Sequence, residues 1–455
     1  MEKGTFVALK AFLKITLITG VFCCFFSKHI HARAKAYLHS SKRPYLKPTT
    51  PDPKLKVGGY LRLDTFFDTR QTGGSHDGSG VFLPLPPRYD SNHCDIYTRG
   101  RFGMTPSVSS LNLTLLPMDA GNAKIDGYGE IDFVGNYDLT IGMPKLRLAM
   151  IQAQWPKVSV LAGLYYHPLT PEGCQPSTVG YHGGVPPASY GRVPQITTTW
   201  LSDHISIAGT IHSQYLPLTS DGPLGPDESY THNSMTPAVS VSLEWRNKQS
   251  MSCNVLFGMG VDMTRLLPAL AVTTTATVSP KMSATNAEIM SFIGTLYSTL
   301  NIGDYTIMSQ VMFGQNGNYP LLNLGGYAVR CLNPETGLRT YTNTNCLSAW
   351  VDFEWHKDKK MMPGFYMGIG KTTGSQHPLY LNPTTGNPIF YGVSREADKA
   401  FRLCPRIISV FGHMALGFEM DYLKVWYGTM DRCGRHPGAC PVSNLRFLVV
   451  TQYNF

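Results

Sequence analysis

The chain has 455 residues, of which 43% are hydrophobic and only 15% charged, and it carries a formal charge of +9. Apolar residues in that proportion can build a large core or cross a membrane repeatedly, yet no window beyond residue 30 offers the roughly 20 continuous apolar residues of a spanning helix. A helical membrane protein is excluded, and the 44 glycines, 24 tyrosines and 21 phenylalanines fit a β-rich chain instead.

At the N-terminus, Lys3, Lys10 and Lys14 precede the apolar run ITLITGVFCCFF (residues 15–26), and a small-x-small site follows at Ala32-Arg33-Ala34. This is the layout of a cleaved secretory signal over residues 1–34. An uncleaved anchor is the alternative, but a core of about a dozen residues falls short of a bilayer. A lipoprotein reading of Cys23 or Cys24 fails because Phe22 stands where a small residue is required. Removing five Lys/Arg and one Glu with the signal takes the formal charge from +9 to +5, too weak and too dispersed for nucleic acid. Residues 35–56 carry four prolines, six Lys/Arg and no apolar period, which predicts a basic Pro-rich tether.

From Val57 onward the chain falls into segments of about ten residues with period-2 alternation. In GYLRLDTFFD, Leu61, Leu63 and Phe67 oppose Arg62, Asp64 and Asp68; in AKIDGYGEIDFVG, Ile125, Ile131 and Phe133 oppose Asp126, Glu130 and Asp132. In AVSVSLEWR, Val239, Val241, Leu243 and Trp245 oppose Ser240, Ser242, Glu244 and Arg246. The predicted strands are 57–68, 108–117, 123–135, 144–155, 158–167, 193–201, 205–215, 237–247, 251–262, 285–300, 303–315, 346–357, 362–372, 400–412, 414–430 and 442–455, sixteen in all.

A soluble β-sandwich shows the same alternation, so the connections must discriminate. Long links and tight turns alternate strictly, which places every long loop at one end of an antiparallel sheet. That asymmetry predicts a transmembrane antiparallel β-barrel over residues 57–455, with short periplasmic turns and long external loops in a bacterial outer membrane. Lipid supplies no hydrogen-bond partner, so the sheet must close and the last strand must pair with the first. In the last strand Leu445, Phe447, Val449, Thr451, Tyr453 and Phe455 form the lipid face, and Tyr453 and Phe455 resemble the terminal signal read by barrel-assembly machinery.

The segments YLRLDTFFD, SLNLTLLP, GYGEIDFVG, LRLAMIQAQW and VLAGLYYHPL together resemble the trimeric DcaP-like porins, the match covering the first 200 residues best. Ala149 and Met150 stand near where that family has Arg and His, and Leu164 replaces its Gln, so part of a basic eyelet is missing. The resemblance implies a sixteen-stranded homotrimeric diffusion channel with a weak preference for small anionic solutes such as dicarboxylates.

In a barrel of this size inward charges set selectivity. Residues 168–192 follow the fifth strand and are rich in Pro and Gly, as suits a loop folded into the lumen, with Glu172 and Arg192 as constriction residues and Tyr181 and His182 as lining. A merely external loop is the alternative. Arg62, Arg99, Arg101, Arg147 and Arg446 form a guanidinium set suited to carboxylate or phosphate, opposed by Asp126, Glu130 and Asp132. The same charges paired with one another would only brace the wall.

Eight cysteines follow the signal in a compartment that permits disulfides. Cys433 with Cys440, and Cys331 with Cys346, are the candidate pairs. His436 beside two cysteines is weak evidence for zinc, and no metal or cofactor is expected. No G-x-S-x-G, H-E-x-x-H, P-loop or paired CxxC motif is present, so nothing points to an enzyme. The function that follows is passive diffusion of small hydrophilic solutes. The alternative is a non-transport barrel whose stapled loops serve surface structure or adhesion, and a barrel-embedded hydrolase stands below both.

Overall fold

The computed structural model describes residues 54–455 except 75–79, 81, 137, 216–221, 224, 226, 228, 251–252, 274–281, 319–320, 359 and 393. The signal segment 1–34 and most of the tether, 35–53, lie outside the described residues. Sixteen antiparallel staves form the wall. They are β1 (Leu55–Asp68), β2 (in two pieces, Arg101–Thr105 and Ser110–Ala120), β3 (Ala123–Asp132), β4 (Lys145–Gln154), β5 (Val158–Tyr166), β6 (Arg192–Leu201), β7 (Ile205–His212) and β8 (Ala238–Ser250). The wall continues with β9 (Cys253–Leu266), β10 (Ile289–Ile302), β11 (Tyr305–Gln315), β12 (Arg339–Trp355), β13 (Met362–Ser375), β14 (Ala397–Phe411), β15 (Met414–Tyr427) and β16 (Cys440–Asn454).

Closure occurs where alternation placed it. β1 pairs β16 from Tyr60↔Asn454 to Asp68↔Arg446, and Gly59 and Phe455 exchange backbone hydrogen bonds of 3.2 and 3.1 Å. On its other side β1 pairs both pieces of β2, so the ring has no open edge. β1 begins at Leu55, opposite Leu115, and so takes the last two residues assigned to the tether. The sequence reading also missed the piece Arg101–Thr105. Pro106 has no N–H to give the ladder, and the stave resumes only at Ser110. β12 starts seven residues before its expected position because its outer end pairs with a short strand, Gly326–Leu332, in the long connection before it.

The staves have opposite chemistry on their two faces. Phe67, Phe257, Phe292, Phe313, Met367, Ile407 and Val449 are exposed on the outer surface, an apolar band suited to the hydrocarbon of a membrane. The alternate positions include the fully buried Asp68, Asp352, Arg402, Glu419 and Asp421. No described helix is long and apolar enough to cross a membrane; the crossing elements here are strands.

Residues 167–191, between β5 and β6, fold into the barrel. Their apolar side chains meet inward faces from β9 round to β1. Leu169 packs with Ile293, Met312 and Cys346. Cys174 and Ala188 pack with Leu256, Tyr297, Trp350 and Tyr366, and Val179 packs with Phe66, Leu448 and Val450. The external-loop alternative therefore does not hold.

None of the eight described cysteines is joined to another. Cys331 lies opposite Thr340 in the outer hairpin, whereas Cys346 is six residues further along β12. At about 3.3 Å per residue that is roughly 20 Å, far beyond the reach of a disulfide. Cys433 and Cys440 are both exposed and unjoined, the Cys440 Sγ lying 3.6 Å from the Gly438 carbonyl.

Candidate pore constriction

The inward loop is seated by polar contacts as well as by packing. Glu419 on β15 accepts from the Val179 and Gly180 amides at 2.7 and 3.2 Å. Arg62 on β1 donates to the Val179 carbonyl at 2.7 Å, Tyr366 on β13 donates to the Gly184 carbonyl at 3.0 Å, and Arg402 on β14 donates to the Val185 carbonyl. Each of these groups satisfies a loop backbone atom that the barrel would otherwise bury unpaired.

Two histidines tie the loop to wall carboxylates. His182 Nδ1 accepts from the Gly184 amide at 3.0 Å, so its proton sits on Nε2, which lies 3.1 Å from Asp421 and 3.4 Å from Glu419. His167 Nδ1 accepts from the Leu169 amide at 3.1 Å, and its Nε2 lies 3.6 Å from Asp262. Asp262 also receives His212 at 2.7 Å and Ser240 at 2.5 Å. Both clusters have the composition of metal sites, His167–His212–Asp262 and His182–Glu419–Asp421. A metal, however, needs the Nε2 lone pair, and an Nδ1 already engaged by an amide leaves Nε2 carrying the proton. His167 and His182, each fixed by an amide of its own loop, set the loop beside the wall carboxylates.

The arginines selected from sequence are on the inner wall with one exception, and most are paired. Arg62 contacts Asp64 at 2.5 Å, Arg101 lies 3.6 Å from Asp68, and Arg446 reaches the same Asp68 at 2.7 Å while stacking 4.3 Å over Phe66. Arg147 holds Glu130 at 2.7 Å and Asp132 at 3.0 Å. Arg99 is apart from all of these, exposed on the connection between β1 and β2. Tyr181 donates to Asp132 at 2.8 Å, and burial pushes its phenol up to about 12, so the donor stays protonated.

Arg192 differs. Its guanidinium lies between the Tyr190 and Tyr166 rings, 4.8 and 5.7 Å from their centroids. Among the described residues no carboxylate is within ion-pair distance, and its Nε and Nη2 have no hydrogen-bond acceptor. Lys145 is buried nearby, and Arg192 acts electrostatically on it.

Open space remains against β2–β8. One cavity of about 440 Å³ is lined by Asp126, Tyr128, Glu130, Tyr165 and Glu172. A second of about 500 Å³ shares Tyr165 and Glu172 and continues over Gln152, Ser159, Thr197, Thr199, Thr210 and Glu244. Glu244 is paired with Arg246 at 2.7 Å, and Glu172 accepts from Tyr165 at 2.5 Å. Asp126 and Glu172 have no Lys or Arg at ion-pair distance among the described residues.

Sequence reasoning missed a second set of buried charges, Arg402, Glu419, Asp421, and Arg406 bound bidentately to Asp352 at 2.8 and 2.9 Å. Their signal was present in FRLCPR, FEMD and VDFE, where charges recur on the inward parity.

No protein-family model matches the sequence, and no curated relative matches it. Solved structures do match. The outer membrane channel DcaP of Acinetobacter baumannii aligns with a TM-score of 0.62 at 12% identity, over 90% of this chain and 99% of that one. This chain has the fold of an outer-membrane channel. The anion-selective porin from Comamonas acidovorans (TM-score 0.49, 8% identity, 89% and 100% covered) and OmpT of Vibrio cholerae (0.49, 10%, 88% and 97%) are more distant. At 12% identity the likeness to DcaP shows the fold alone.

Proposed function

We propose that the protein is a porin of the bacterial outer membrane, a passive diffusion channel for small hydrophilic solutes, assembled as a homotrimer after removal of residues 1–34. The observation that carries this reading is the division of the lumen. A loop is fastened to one wall, and two cavities lined in part by hydroxyls, amides and carboxylates are left along the other, in a barrel whose outside is apolar. Hydroxyls and amides there exchange hydrogen bonds with a passing hydrated solute without holding it. Tyr453 and Phe455 serve as the assembly signal. The site residues do no bond-making chemistry in this reading, and no cofactor is required.

The weak anion preference is carried by Lys145, Arg147 and Arg192, three cations set against Glu130 and Asp132. A second reading, cation preference, is supported by Asp126 and Glu172, the lining carboxylates without a cationic partner. Planar-bilayer recording of refolded protein under a salt gradient tests both levels at once. Stepwise conductance is expected, and its absence would sink the channel. The sign of the reversal potential decides between the two preferences. The surface-adhesion alternative loses its motive, since the loops are not stapled.

A further inference from the structure

On the outer surface, where β13, β14 and β15 approach the long connections, the apolar band stops at a basic row. Lys371 lies directly opposite Lys399 across β13 and β14, and Lys399 lies opposite Trp426 across β14 and β15, with Lys424 two residues from Trp426 on the same face. All share the outward parity, alternating with the buried Thr372, Ala400, Leu423 and Val425. Lys399 Nζ sits 4.0 Å and Lys424 Nζ 5.0 Å from the centre of the Trp426 ring. Below them on the same three staves are Ile369, Met367, Ile407 and Phe418, all exposed.

Two like charges directly opposite each other on a sheet are destabilising, and here a third lysine joins them. Among the described residues none of the three is within ion-pair distance of a carboxylate. The aromatic ring steadies two of the ammonium groups, but it does not neutralise them. They sit at the end of the apolar band, and Trp with Lys at such an end is the pairing that meets the polar end of a lipid in a membrane-spanning barrel. Lysine clusters there recognise anionic headgroups, and an ammonium suits phosphate as a point charge.

We propose that Lys371, Lys399 and Lys424, arranged about Trp426, bind the phosphorylated headgroup of a lipid in the outer leaflet. The lipid's chains lie along the apolar band beneath, and its phosphate supplies a counter-charge nearer than Asp398 and Asp431, which share a cavity with Lys371 beyond ion-pair distance. The inference rests on the barrel spanning a membrane and not on what passes through it.

The test uses the refolded full chain in nanodiscs of phosphatidylcholine alone, or with added phosphatidic acid or diphosphorylated lipid A. Native mass spectrometry then counts the phospholipid and lipid A retained on ejection from the disc. Wild-type protein is expected to retain lipids bearing a phosphomonoester in preference to phosphatidylcholine. The triple variant Lys371→Gln, Lys399→Gln, Lys424→Gln is expected to lose that preference while keeping heat-modifiable gel migration and conductance. The conservative triple Lys→Arg variant should restore it, which separates a charge effect from a folding defect. Displacement of the lipid by millimolar inorganic phosphate would show a site for free phosphate and overturn the lipid assignment. Equal retention by wild type and the Gln variant would overturn the site, as would a changed trimer yield with unchanged lipid. Loss of conductance with lipid preference intact would defeat the channel reading and leave this one standing.

Discussion

The two halves of the lumen are built on opposite principles. Against β9–β16 the wall is dry: Val179, Leu169 and Ala188 are buried in apolar contact, and the charges there are closed pairs such as Arg402–Asp421 at 3.0 Å and Arg406–Asp352. Against β2–β8 the wall is wet: threonine, serine and glutamine face a cavity, and Asp126 and Glu172 stand without cations. Residues of the same types therefore have different work in the two halves. Charges on the dry side hold the loop in place; on the wet side Asp132 and Arg147 also grip it through Tyr181, while Asp126 and Glu172 face the cavity.

The largest effect separating the two halves is on stability. Replacing Asp421 by Ala leaves Arg402 buried without its carboxylate and His182 with Glu419 alone, a loss of roughly 3–5 kcal/mol by analogy with broken buried pairs. The same truncation at Asp126 is expected within about 0.5 kcal/mol of wild type. The midpoint of heat-induced gel migration for the two variants checks the contrast, and equal midpoints would break it.

Next in size is an effect on the aperture. A Cβ at Gly417 would lie 2.7 Å from Val179 Cγ1, so Gly417→Leu is expected to push the loop off the dry wall into the wet space and lower single-channel conductance. Unchanged conductance would mean that the loop does not set the narrowest section. The smallest effect is on selectivity. Asp126→Asn with Glu172→Gln should move the reversal potential toward anions and Arg192→Ser toward cations, both with folding unaltered. Shifts of the same sign would show that neither group governs permeation.

Much of the barrel was legible in the sequence because closure and alternation are local rules: parity in GYLRLDTFFD and NLRFLVVTQYNF fixed which face met lipid and which strands had to meet. The break at Pro106 and the hairpin extension of β12 were not, since both depend on what a neighbouring segment offers. The candidate site was legible only in part. Inward parity selected Arg62, Arg147 and Arg446 correctly as wall residues. Their partners, however, are decided by register, as when Arg446 meets Asp68 across 378 positions, and register is invisible until the ring closes. That pairing recasts Arg446, chosen for the pore, as a brace at the seam between first and last strands. His182, chosen as lining, is an anchor for the same reason, because Glu419 and Asp421 lie on a stave more than 230 residues away.

The glycines under the loop have a consequence for how wide a channel sixteen strands can enclose. Strand number and tilt fix the circumference of a barrel, so any segment laid inside it narrows the bore. Here the surface beneath the segment is countersunk. Added Cβ atoms at Gly368, Gly260 and Gly417 would stand 2.5 Å from Pro187, 2.9 Å from Leu169 and 2.7 Å from Val179. By giving up side chains on its own inner surface, the wall takes the loop partly into its thickness, and the bore keeps for water a width that would otherwise need additional strands.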